Sequence, residues 1–156
     1  MEPPRVYIET TIPSAYFDTR TAPEMIRRRD ATRRWWADAG ERYELVTSST
    51  VHEELKNGPT DRRRAWLVLI EPLPVLEMTP VIELIIATYA RHKLMPRKDA
   101  LHLAIASTCW CDCLLTWDFK HLANPNKVKH IQMVNARLGL PVPRIVAPSA
   151  LVGGTP

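Results

Sequence analysis

Four carboxylates carry the chemistry that this chain has on offer. Glu9 closes the apolar run in VYIETT, Glu54 lies in TSSTVHEELKNG, Asp99 opens KDALHLAIAS and Asp118 ends CLLTWD. Each falls at a predicted strand end or helix start. In an open parallel sheet those positions converge beyond the carboxyl ends of the strands, where ligands bind. Four acids gathered at one edge repel one another unless a cation lies among them. An all-oxygen donor set of this kind suits Mg²⁺ or Mn²⁺.

Helix periodicity separates Glu54 from its neighbour. Val51 and Leu55 define a buried stripe. At about 100° per residue, Glu54 borders that stripe and Glu53 points away from it. Asp99 precedes Ala100, Leu103, Ala104 and Ala106, a helix small and apolar enough to pack centrally, and the positive end of its dipole favours an ionised acid. Asp112 stands before a strand rather than after one, so it falls at the opposite end of the sheet. Two hydroxyls accompany the acids, Thr10 after Glu9 and Thr116 before Asp118, placed to orient a water or a carboxylate. The five histidines have no zinc-protease spacing, and most are assigned to surface or structural roles. Neither a dinucleotide fingerprint nor a P-loop occurs, which argues against a nucleotide-cofactor enzyme.

The elements that must position these acids alternate. Strands are expected at Arg5–Glu9, Tyr43–Thr47, Leu73–Met78 (an edge strand, because of Pro74), Cys113–Thr116 and Arg144–Ala147. Helices are expected from about Pro23 to Asp38, closed by Gly40, then after Ser48 or Ser49, and over Asp61–Ile70, Pro80–His92, Asp99–Thr108 and Asn126–Leu138. A short helix starts at Thr10–Ser14. Ile26, Trp35 and Trp36 are candidate anchors of the second helix, and Val81, Ile82, Leu84, Ile85 and Ala87 supply the apolar side of the helix from Pro80. Such alternation predicts an α/β fold with a parallel sheet.

At 156 residues with 46% hydrophobic content, the chain is read as one domain over residues 1–150 with a frayed tail at 151–156. No apolar run approaches the ~20 residues of a membrane span, and MEPPRVY has no signal-peptide character. A soluble, cytoplasmic protein is expected. Cys109, Cys111 and Cys113 are an odd set at alternate positions, which is not a disulfide framework. Alternation predicts Cys111 and Cys113 as small buried residues on one face. The net charge of +4 is mild and permits a polyanionic partner. Among the clustered cations, Arg27, Arg28, Arg62, Arg63, Arg97 and Lys98 are candidates to hold the phosphates of such a partner around an acidic centre.

With these segments in place, the chain resembles the PIN-domain nucleases, and within them the VapC-type toxins of bacterial and archaeal toxin–antitoxin systems. The resemblance runs from VYIETTIPSAYF through SSTVHEELKNG and DALHLAIAS to LLTWDFKHLAN. It implies a three-layer α/β/α sandwich around a central parallel sheet of about four to five strands. It maps the family's acids onto Glu9, Glu54, Asp99 and Asp118 as catalytic and metal-binding residues. The first of these is Asp in most of the family and Glu here. The resemblance further implies Mg²⁺- or Mn²⁺-dependent hydrolysis of RNA phosphodiester bonds, a homodimer and a cognate antitoxin partner. Two other readings share the fold: a catalytically weakened RNA-binding module, and a housekeeping nuclease without a toxin role.

Overall fold

The computed structural model describes residues 2–151; of the tail expected to fray, all but Leu151 lies outside them. Five strands form one parallel sheet in the order β3-β2-β1-β4-β5. They are β1 (Arg5–Ile8), β2 (Glu44–Ser48), β3 (Val75–Leu76), β4 (Cys113–Leu115) and β5 (Arg144–Val146). The registers place Tyr7 beside Val46 on one flank and Leu114 on the other, so β1 is the central strand. Its Val6, Tyr7 and Ile8 are fully buried, as expected of a strand covered on both faces.

Helices cover the two faces unequally. α1 (Thr11–Tyr16) and α2 (Pro23–Arg42) pack on one side, where Ile12, Ala15, Trp35 and Ala39 meet Val6, Ile8, Cys113 and Leu115. α3 (Ser49–Lys56), α4 (Thr60–Ile70), α5 (Pro80–Arg91), α6 (Arg97–Thr108) and α7 (Val128–Arg137) cover the other side, against Tyr7, Val46 and Leu114. The result is the expected three-layer α/β/α sandwich. Strand order reverses between β1 and β4, so the crevice characteristic of open α/β sheets opens there.

Several local expectations change. α2 continues through Gly40 to Arg42. Gly40 faces open space, where the absence of a side chain costs helix propensity without breaking the turn. Ile26 and Trp36 are only partly buried and Trp35 is the anchor. α5 turns its Ile82, Ile85, Ile86 and Tyr89 inward and leaves Val81 and Leu84 exposed, so the buried stripe runs one residue out of phase with the densest apolar run. Cys111 and Cys113 lie in opposite layers. Their separation follows from the end of α6: Trp110 adopts a left-handed conformation with φ 56°, and Cys111 N–H bonds back to the Ala106 carbonyl. Cys111 is thus part of a helix-terminating turn, and strand alternation starts only after it.

Two turns carry steric signatures. Gly139, past the end of α7, has φ +69° and so favours glycine. At Gly58 the constraint is space, since a Cβ there would lie 2.6 Å from Cζ3 of the buried Trp66 ring and 3.2 Å from the Leu55 carbonyl. Gly58→Ala is therefore expected to destabilise the fold by about 1–3 kcal/mol through overpacking. Urea denaturation checks it; an unchanged midpoint would mean the Trp66 ring yields freely.

Candidate active site

β1 ends at Ile8, and the next residue turns its carboxylate back into the fold. Glu9 is only 3% exposed. Its Oε1 accepts from the Thr11 backbone N–H at 2.8 Å, and its Oε2 accepts from Thr11 Oγ1 at 3.1 Å and Thr116 Oγ1 at 2.9 Å. Thr116 lies just past β4, so Glu9 bridges the two strands at the point where sheet order reverses. Burial raises the Glu9 carboxyl above its ordinary range, although the nearby His102 and the bonds from Thr11 and Thr116 oppose that rise.

Glu54 reaches the same crevice from α3. Ser48 starts that helix by accepting from the Val51 N–H at 3.2 Å. The Glu54 side chain is 14% exposed, against 70% for Glu53, as the helix phase predicts. Its Oε1 accepts from Thr10 Oγ1 at 2.7 Å and lies 2.6 Å from His102 Nε2. Lys98 Nζ stands 3.5 Å from Oε2. Burial pushes this carboxyl up, but the His102 bond and charge, Thr10 and Lys98 more than offset it, and its pKa is lowered.

Sequence reasoning does not single out His102, yet it is buried against the candidate site, on α6 three residues after Asp99, the spacing that puts two side chains on one helix face. That spacing is the signal that could have found it. Burial draws the imidazole pKa down, while Glu54, Glu9 and Asp99 together carry it above its ordinary value. His102 Nε2 lies 2.6 Å from Glu54 Oε1 and its Nδ1 2.7 Å from the Tyr7 hydroxyl, which in turn lies 2.7 Å from Ser48 Oγ. The protonated ring, which the raised pKa favours, donates from both nitrogens. The chain of bonds runs from the core strand through the histidine to the acid.

Asp99 sits in the first turn of α6, two residues inside the start at Arg97. Burial and then repulsion from the neighbouring Asp118 raise its pKa, against the opposing pull of His121 and His102. Asp118 also organises its own loop: it accepts the N–H groups of Lys120, His121 and Leu122 at 3.1–3.2 Å. One cleft of about 330 Å³ is lined by Glu9, Glu54, Asp99 and Asp118 together with Thr10, Thr11, Lys98, His102 and His121. Larger surface grooves lie elsewhere and contain no carboxylate pair. Asp112 bonds to the Arg5 N–H at the far end of the sheet, as expected.

The remaining sequence candidates distribute unevenly. Thr10 holds Glu54 and Thr116 holds Glu9, whereas Thr11, which no sequence argument singled out, contributes both backbone and hydroxyl bonds to Glu9. Among the cations only Lys98 lines the cleft. Arg27 and Arg28 pair with Glu24, Arg97 pairs with Glu83, and Arg63 bonds the Lys56 carbonyl. Arg62 lies close enough to Asp18 to help hold that carboxyl low, after the larger effect of Arg20.

The donor chemistry suits a hard divalent cation. Glu54 Oε2 is buried without a hydrogen-bond partner among the described residues, and the neighbouring Asp118 helps raise the Asp99 carboxyl above its ordinary range. As they stand, no three His, Cys, Asp or Glu side chains of the described residues are gathered tightly enough to hold an ion.

The architecture and crevice find a counterpart among solved structures. A chain in the crystal structure of VapBC2 from Rickettsia felis, bound to a DNA fragment from their promoter, superimposes with a TM-score of 0.58 over 92% of this chain and 98% of that one. Identity is 11%, so the likeness is one of fold: a PIN-like α/β/α sandwich. No family model matches the sequence, and no curated protein matches it significantly. No helix of the described residues is long and apolar enough to cross a membrane.

Proposed function

We propose that this protein is a metal-dependent endoribonuclease acting as the toxin of a type II toxin–antitoxin pair, with Glu9, Glu54, Asp99 and Asp118 as its catalytic acids. The observation that carries this is the convergence of four carboxylates from four separate segments on one cleft at the switch point of the sheet. Structural acids would be scattered, each beside its own cation; here Asp99 and Asp118 are neighbours, and the repulsion helps raise the Asp99 pKa. The fold it shares with a chain of VapBC2 supports an antitoxin partner.

Asp99, Asp118 and Glu54 Oε2 would hold Mg²⁺ or Mn²⁺. Such an ion, when bound, supplies Lewis acidity that eases deprotonation of water and offsets charge on phosphate oxygens. The chain's own groups do the rest. His102 and Thr10 keep Glu54 Oε1 fixed, so Oε2 points into the cleft. Thr11 and Thr116 hold Glu9 at the wall of the cleft, where the extra methylene relative to Asp is taken up in these bonds. Lys98, on the open side, is placed to meet the phosphate flanking the cut.

A second reading has an observation of its own. The Glu9 oxygens are already satisfied by threonines, which favours a weakened enzyme or an RNA-binding module. Labelled RNA incubated with Mn²⁺, and in parallel with excess EDTA, separates the two. Cleavage is expected with metal and none with chelator. In the same assay Glu54→Gln is expected to lose most activity and Glu53→Gln little. Undiminished cutting in EDTA, or a 2′,3′-cyclic phosphate product, removes the proposal; a greater loss from Glu53→Gln reassigns the ligand.

A further inference from the structure

Immediately after Asp118 the chain exposes an aromatic ring. Phe119 is 46% exposed, on a loop that Asp118 itself fixes through three backbone bonds. Its ring meets Trp117 edge-on, with centroids 6.1 Å apart and planes at 81°. Trp117 is buried and anchored by its Nε1–H to Thr32 Oγ1 at 2.9 Å. The Arg28 guanidinium lies over both rings, 5.4 Å from the Trp117 centroid and 5.6 Å from that of Phe119. Glu24 steadies it from the other side at 3.1 Å. Arg28, Trp117, Arg20 and Ser14 line a cavity of about 120 Å³ that shares Thr11 with the acid cleft. An exposed ring, a cation on its face and a cleft for phosphate are therefore contiguous.

We propose that Phe119, backed by Trp117 and flanked by Arg28, is a stacking platform for an unpaired nucleobase of single-stranded RNA, seated next to the phosphate in the acid cleft. The proposal rests on the nuclease reading for its substrate and goes beyond it in assigning a base-binding subsite to Phe119. Charge and shape select the occupant. A ligand bearing both a π-face and a phosphate matches the Phe119 ring and the adjoining acid cleft together, whereas an apolar peptide offers nothing to the cleft. A paired base keeps its faces inside the duplex and cannot reach the ring; an unstacked base can. Because every base has a π-face, the platform tolerates sequence. Its rigidity matters: Trp117 and Glu24 fix its two components before RNA arrives, which lowers the ordering cost of binding.

The test measures binding of a fluorescein-labelled single-stranded RNA oligonucleotide, and of the same sequence as a duplex, by anisotropy in EDTA and again in Ca²⁺. Proteins are the wild type, Phe119→Ala, Phe119→Leu and Phe119→Trp. Phe119→Ala and Phe119→Leu are each expected to weaken single-strand binding on the order of tenfold, within the span of base–aromatic stacking. Phe119→Trp should bind as wild type, and duplex binding should not change among the four. Thermal melts of the variants should match, since the ring is half exposed. Single-strand binding by Phe119→Leu equal to wild type, or equal losses for single strand and duplex, overturns the platform. Cleavage of the oligonucleotide by wild type with Mn²⁺ is scored alongside. Cutting with no Phe119 effect on binding refutes the platform alone. The Phe119 pattern without any cutting refutes the nuclease reading alone. Neither binding nor cutting refutes both.

Discussion

Asp99→Asn is expected to reduce RNA cleavage by at least about a hundredfold, the upper end of what even outer-shell changes cost a metal site, while apo stability holds or rises. The two outcomes together are diagnostic. Burial and the like-charged Asp118 raise the Asp99 pKa by more than His121 and His102 lower it. A carboxyl with a raised folded pKa stabilises most when protonated, below its unfolded value of about 4. That contribution is lost as pH rises through the folded value. At neutral pH the ionised Asp99 is a cost that asparagine removes. The variant's melting temperature should therefore equal wild type near pH 3 and overtake it as pH increases. Mn²⁺ should raise the wild-type melting temperature by mass action and raise that of the variant less. Asp118→Asn would be the weaker test, because its oxygens accept three backbone N–H groups and an amide nitrogen can accept none. A variant that melts several degrees lower than wild type at pH 7 without metal, yet cleaves normally, would make Asp99 structural and dismantle the proposed site.

Position along the chain made the acids legible. Glu9, Thr116 and Asp118 follow strands whose apolar runs are plain in the sequence, and in a parallel sheet such residues share one edge whatever the packing. Helix phase sufficed for Glu54 over Glu53 because Val51 and Leu55 mark the buried stripe. What failed was legibility wherever the partner comes from another element. His102 reads as an unremarkable helix residue until Tyr7 and Glu54, from β1 and α3, close around it. Thr11 reads as a helix-start hydroxyl until Glu9 folds back on it. The clustered arginines read as a phosphate rim, but Glu24 and Glu83 lie within reach of three of them. The Cys111–Cys113 face was misplaced for a local reason, the left-handed turn at Trp110, which no alternation rule anticipates for a bulky residue.

His102 is where that missed partnership should have its largest effect on stability. His102→Leu leaves Glu54 without its counter-charge and the Tyr7 hydroxyl without its donor, in a site closed to water on the core side. Breaking a buried ion pair by removing one member costs roughly 3–5 kcal/mol. Thr10 and Lys98 remain on Glu54, and the carboxylate keeps some solvent contact. A loss nearer about 2–3 kcal/mol is expected once that residual solvation is allowed for. The double variant Glu54→Gln/His102→Leu should recover part of it, because no unpaired charge is left behind. The pH profile identifies the source. His102 has a raised folded pKa, so its contribution is complete below its ordinary value of 6.5 and disappears as pH climbs through the folded value. Glu54 has a lowered one, so its contribution is complete above 4.5 and disappears as pH falls through the folded value. The gap between wild type and His102→Leu, measured by urea denaturation without metal, should be widest between pH 4.5 and 6.5 and narrow on both sides. A pH-independent gap would mean that the leucine acts only through packing beside Tyr7, and the imidazolium–carboxylate pair would then have no part in holding Glu54 toward the cleft.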